Sequence, residues 1–206
     1  MKIRNGFVSN SSSSSFVIGL KEIPKSYQDF KVMILGDKSD YPVVSHFGDA
    51  YATDIIITRL YNDFMEKINS NNHFKDFDNF IDFTQDFKSN FKYNLNEYKM
   101  YVNNKDIDEF NRLHILISEN EKKQNIIWKE LKSSAFNNDE YKKLRIITDK
   151  YYEDIYELII NGLKSKYKDN KIIFDITYSD NDGEIDSFIE HSEILNSVTL
   201  LYFNNH

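Results

Sequence analysis

Two apolar, β-branched runs at opposite ends of the chain constrain its fold more than any other feature. Ile172-Ile173-Phe174-Asp175-Ile176-Thr177-Tyr178 is built from residues that suit a pleated, packed surface, and Asn181-Asp182-Gly183 follows it with turn chemistry. Phe16-Val17-Ile18-Gly19-Leu20 reads the same way, and so does Val198 to Phe203. Between these runs, from about Ala52 to Lys168, apolar residues recur at three- and four-residue spacing, the period of a helix. Strands at the ends with helices between them predict an α+β fold. The N- and C-terminal strands would form a small mixed β-sheet, with residues 52–168 as a mainly helical insertion packed on it. At 206 residues, a single domain spanning 1–206 has enough chain for a sizeable core.

Taken in order, Phe30 to Leu35 reads as a second strand ended by Gly36-Asp37, and Tyr41 to Asp49 as a loop holding His46. Ile56, Leu60, Phe64 and Ile68 place one apolar face on a helix from Ala52 to Ile68. Phe74, Phe77, Phe80, Ile81, Phe87 and Phe91 predict a second helix with an aromatic stripe. Tyr98, Met100 and Val102 alternate as in a short strand. Asp106, with Glu109 three residues on, has the form of a capping box. The helix it opens carries Ile107, Phe110, Leu113, His114 and Ile117, which makes His114 a core histidine. Glu119 to Asn125 is polar, and Ile126-Ile127-Trp128 and Leu131 resume the apolar face. Asn138 or Asp139 caps a last long helix with Tyr141, Leu144, Thr148, Tyr151, Ile155, Leu158 and Gly162 at helical spacing. The two long helices are expected to form an antiparallel hairpin. Their near-heptad seam leaves a homodimer through helices 106–168 open. Glu184 to Leu195 reads as a short helix.

Composition removes several classes of function. There is no cysteine, so disulfides, thiolate metal sites and a cysteine nucleophile are excluded. The formal charge of −7, with lysines interleaved among acids, argues against a nucleic-acid partner. No apolar run approaches a membrane span, and no secretory leader is expected, because serines interrupt the stretch after Lys2 and Arg4. Lys2 stands where N-myristoylation needs glycine.

Two stretches hold candidate site residues. Gly6-Phe7-Val8-Ser9-Asn10 leads into five serines, Ser11 to Ser15, clamped before Phe16. Serine hydroxyls bond nearby backbone in tight turns, and successive backbone N–H groups form anion-binding nests. The stretch is therefore a solvated turn, an anion loop or an arm that docks on a partner, with Arg4, Asn10, Ser11, Ser12 and Ser13 as candidate binding residues. It is not a P-loop, which needs a Gly-Lys-Ser/Thr element. The second stretch is Ser179-Asp180-Asn181-Asp182-Gly183-Glu184, which has the composition of a calcium loop. The EF-hand template places Tyr178 and Ile189 at its first and last ligand positions, so two oxygen ligands are missing. Asp180, Asp182, His191 and His206 are candidate ligands for a divalent metal instead. That site needs the closing strand to carry His206 back to the turn after Tyr178. A serine hydrolase lacks its Gly-x-Ser-x-Gly elbow.

The opening string Arg4-Asn5-Gly6-Phe7-Val8-Ser9-Asn10, the serines and Phe16 resemble the N-terminus of small proteins encoded by bacteriophages and their bacterial hosts, a group without an assigned activity. The resemblance covers roughly the first 18 residues and extends weakly to Ser179–Gly183, Glu190-His191 and His206. It implies a phage-encoded accessory protein in the cytoplasm of the infected bacterial host. Such a protein acts by binding a host or viral protein, for example by inhibiting a bacterial defence or a host enzyme. The alternatives are a small metal-dependent hydrolase of nucleotides or phosphoesters, and a virion-associated cargo or minor structural protein.

Overall fold

The computed structural model describes residues 13–40, 43–46, 49–75, 77–78, 91–93, 95–179 and 198–205. Along these run β1 (Ser13–Leu20), α1 (Tyr27–Leu35), β2 (Val43–His46), β3 (Asp49–Ala52) and α2 (Thr53–Asn69). They are followed by α3 (Leu95–Tyr98), α4 (Ile107–Leu131), α5 (Asp139–Tyr167), β4 (Ile172–Ser179) and β5 (Thr199–Asn205). The chain divides into two compact units: Met1–Phe83 with Tyr167–His206, and Thr84–Lys166.

The first unit is built on a sheet ordered β4-β1-β5, so the two ends of the chain share one sheet and the fold is α+β. A mixed sheet was expected; the described strands are antiparallel throughout, because β1 sits in the centre and both neighbours run against it. Phe16 lies opposite Ile176 and Tyr202, and Ile18 opposite Phe174 and Leu200. On one face Phe16, Ile18, Leu20, Phe174 and Ile176 pack with Phe30 and Ile34 of α1 and Ile56, Leu60 and Phe64 of α2. The Phe64 ring lies 5.1 Å from Phe174 and 5.2 Å from Phe30. Each such side chain contributes about 1.5–3 kcal/mol when fully buried.

The other face is covered as well. Val17, Ile173 and Leu201 are buried. The Tyr167 hydroxyl donates to the Val17 carbonyl at 2.7 Å, and Phe77 stacks on Tyr167 at 4.8 Å. A Cβ on Gly19 would lie 2.6 Å from the Asn170 side chain and 2.8 Å from Tyr167. The strand therefore needs glycine where this cover comes closest. Burial on both faces is why β1 and β4 read as continuous apolar runs rather than alternating ones.

Phe30 to Leu35 is helix, not strand. Ser26 caps α1 by accepting from the Asp29 N–H at 3.1 Å, and the Asp29 carboxylate accepts from the Lys25 N–H at 3.1 Å. Gly36 ends it with φ 58°. A short apolar run is ambiguous by period alone, and the cap decides it. Residues 43–46, read as loop, pair with residues 49–52 in the β2–β3 hairpin, with Val44 opposite Tyr51. His46 is a strand residue. The helix from Ala52 to Ile68 is present as α2, followed by Asn71 at φ 55°. The aromatic helix expected from Phe74 to Phe91 lies mostly outside the described residues. Phe74 itself makes a two-bond antiparallel bridge to Ile173.

In the second unit, residues 95–105 hold helical turns rather than a strand. Tyr98, Tyr101 and Val102 are buried while Met100 is exposed, which is not an alternating pattern. The capping box at Asp106 does not form. Its side chain makes no cap bond, and Glu109 instead accepts from the Arg112 guanidinium at 2.7 Å. Of the two candidate caps on α5, Asn138 is the one used, its Oδ1 accepting from the Tyr141 N–H at 2.9 Å. The α4–α5 pair is antiparallel. Tyr152 donates to Glu121 at 2.7 Å, and Gln124 donates to Thr148 at 3.0 Å. A Cβ on Gly162 would lie 1.7 Å from the Tyr101 carbonyl oxygen. The buried stripe of α5 runs Thr148, Tyr152, Ile155, Ile159, Leu163. It is turned by one residue from the expected stripe, so Tyr151 and Leu158 are only half-buried. No described helix is long and apolar enough to cross a membrane.

Candidate functional site

Of the predicted site residues, the structure describes Ser13, at the first position of β1. Ser13 pairs with Ser179 on one side and Asn205 on the other, so β4 and β5 finish in one row with the start of β1. The next residues in sequence are Ser12, Asp180 and His206. Arg4, Asn10, Ser11, Ser12, Asp180, Asp182, His191 and His206 all lie outside the described residues. Ser13 is a strand residue of β1. One row in from this end, the Tyr178 hydroxyl donates to Asp63, and the Arg59 guanidinium sits 5.3 Å from the Tyr178 ring centre. Among the described residues, no group of three or more His, Asp or Glu side chains could hold a metal ion.

His114 is half-buried, its ring 6.1 Å from that of Phe110. It lines a polar cleft of about 310 Å³ with Lys92, Glu97, Glu121 and Tyr152. Three of the polar groups there, Lys92, Glu121 and Tyr152, have partners. Lys92 lies 3.4 Å from Asp149 and 4.8 Å from the Tyr152 ring centre, and Glu121 holds the Tyr152 hydroxyl. Burial, helped by the Glu97 charge, pushes the nearby Tyr98 phenol up to about 12, so it stays protonated at neutral pH.

The far end of the α4–α5 hairpin is different in kind. Ile126, Trp128 and Leu131 were expected on the buried face. Instead Ile126 is 58% exposed, and Trp128 and Leu131 about 40%. Three successive apolar residues cannot all face one side of a helix, where neighbours are 100° apart. Phe136 in the connecting turn is 50% exposed, and Ile146 on α5 is 70% exposed. The aromatic rings form a preset ladder: Trp128 to Phe136 at 5.2 Å and Phe136 to Tyr141 at 5.9 Å, both edge-to-face. They wall a concavity of about 450 Å³ with Gln124 and Asn125.

Around this apolar cluster the charge is reversed from that of the chain. From Lys122 to Arg145 there are seven Lys/Arg and three Asp/Glu, a net of +4; since the whole chain carries −7, the remainder carries −11. All seven cations are exposed, and Lys122, Lys123, Lys129, Lys132 and Lys143 have no ion pair among the described residues. Lys132 also adopts φ 48°, a backbone region that favours glycine. The sequence does carry a signal for this site: lysines one turn from each exposed isoleucine, Lys122 and Lys129 about Ile126, Lys142 and Lys150 about Ile146.

No family model matches the chain, and neither a curated protein nor a solved structure matches it.

Proposed function

We propose that this chain is a phage-encoded accessory protein that works by binding a host or viral protein, with the tip of the α4–α5 hairpin as the contact surface. The cytoplasm of the infected bacterial host is where it would act, through inhibition of a bacterial defence or a host enzyme. The opening serine string, with its likeness to phage proteins, supports the origin. The part-exposed Trp128–Phe136–Tyr141 ladder carries the binding reading. Contiguous apolar side chains rimmed by polar ones mark interaction surfaces, and tryptophan and tyrosine are enriched among residues that dominate binding energy. A tip-to-tip homodimer would set +4 against +4, so a different partner is favoured over a second copy. The test is a photo-crosslinking amino acid at position 136, compared with the same probe at Ile23, an exposed position of the other unit. Expressed in an infected host, the protein should give one discrete adduct from position 136 and none from position 23. Equal labelling from both, or none from either, would end this reading.

The sheet register also favours a second reading, a metal-dependent hydrolase of nucleotides or phosphoesters. Ser179 and Asn205 flank Ser13 in one row, and Asp180 and His206 follow them directly in sequence. It predicts one equivalent of transition metal in purified protein, lost in His206→Ala. Protein that takes up no metal on titration would remove it.

A further inference from the structure

We infer that the hairpin tip takes an acidic amphipathic helix from its partner, with apolar side chains seated against Trp128 and Phe136 and carboxylates on Lys129 and Lys132. The inference rests on the hairpin-binding reading and adds the chemistry of the partner.

Three observations carry it. The first is shape. The concavity of about 450 Å³ lies between α4, which supplies Glu121, Gln124, Asn125 and Trp128, and the turn and start of α5, which supply Phe136 and Tyr141; the Glu121 carboxylate is already engaged by the Tyr152 hydroxyl. Such a hollow accepts the apolar side chains of a docked helix at one-turn spacing. The second is charge. Lys129 lies one turn beyond Asn125 on α4, and Lys132 caps the C-terminal end of that helix. A ligand seated on the rings therefore meets free ammonium groups at its flank, and a net of +4 on a chain of −7 selects acids over bases. The third is backbone. Lys132 holds φ 48° without being glycine. Residues kept in such regions against their preference cluster at ligand clamps, and here the residue kept is a cation facing solvent.

Trp128 is the single tryptophan of the chain, so its emission reads this site alone. The probe is a synthetic amphipathic helix of leucine and glutamate, titrated into the full-length protein. A saturable blue shift is expected, as Trp128 leaves water. The double variant Lys129→Glu/Lys132→Glu should weaken the peptide about tenfold or more, and raising salt should weaken the wild type in the same direction. Both lysines are exposed, so circular dichroism should be unchanged. Lys21→Glu in the other unit should leave binding as it was. An equal shift from a leucine–lysine helix would show a site indifferent to charge; it overturns the acidic assignment and leaves the hairpin-binding reading standing. The assignment is also overturned by silence with the acidic helix, or by a shift given instead by phosphatidylserine–phosphatidylcholine vesicles or by oligothymidylate. Crosslinking from position 136 decides the underlying reading separately.

Discussion

The sheet unit and the helical hairpin draw on the same residue types, isoleucine and large aromatics, and put them to opposite ends. In the sheet unit Phe16, Phe30, Phe64 and Phe174 are all buried, and both faces of the sheet are covered. At the hairpin tip Ile126, Trp128, Leu131, Phe136 and Ile146 are part-exposed among exposed lysines. Apolar residues in the first region hold the fold. In the second they are held out of it, which is the contrast that the proposed binding surface rests on.

The sharpest way to break the comparison is to truncate one ring in each region. Phe174→Ala should cost about 3–5 kcal/mol in denaturant unfolding, since Phe174 is wholly buried against Phe64. Phe136→Ala should stay within about 0.5 kcal/mol, as for an exposed site. Similar losses at both positions would erase the distinction. Gly162→Ala is expected next, at about 1–3 kcal/mol, because the new methyl meets the Tyr101 carbonyl and α5 must shift to admit it. An unchanged melting curve would mean that α5 does not approach Tyr101 so closely.

How much of this could be read from residues alone follows the same division. The sheet was legible because strands buried on both faces must be apolar throughout, and Phe16–Leu20 and Ile172–Tyr178 are. Helix α1 was misread because Phe30–Leu35 is too short for its period to separate helix from strand; the Ser26–Asp29 cap held the answer. The tip was misread because Ile126, Trp128 and Leu131 were taken for core on hydropathy alone. Their lysine neighbours, and three adjacent apolar residues on one helix, pointed outward. Ser13, Ser179 and Asn205 share one row through strand pairing, which composition does not set; the other predicted serine and metal residues lie outside the described residues.

Smaller effects refine the contrast. Lys132→Gly should raise stability by about 1 kcal/mol by relieving its φ of 48°, while weakening the acidic helix at the tip. A gain in both, or a loss in both, would show that Lys132 is held there by folding and not for binding. Smallest is the α1–α2 ion pair. Lys31 hydrogen-bonds Asp54 at 2.8 Å and holds its carboxyl below the ordinary range, while Lys31 is raised in turn. The pair's contribution is present above the unfolded carboxylate pKa and lost as pH falls through the lower folded one. It is lost again at alkaline pH, as Lys31 deprotonates above its ordinary range. The Asp54 side chain is 73% exposed, so Asp54→Asn should flatten only a slight acid-side dependence of the melting temperature. A large acid-side change would mean that the pair is far better shielded than its exposure allows.

One measurement tests the central claim most directly: the denaturant midpoint of the double variant Ile126→Ser/Phe136→Ser, followed by Trp128 emission. With both residues outside the core, the midpoint should match wild type, a change of no more than about 1 kcal/mol. A loss of about 3 kcal/mol or more, the size expected for core truncation, would contradict the account and return the hairpin tip to the fold.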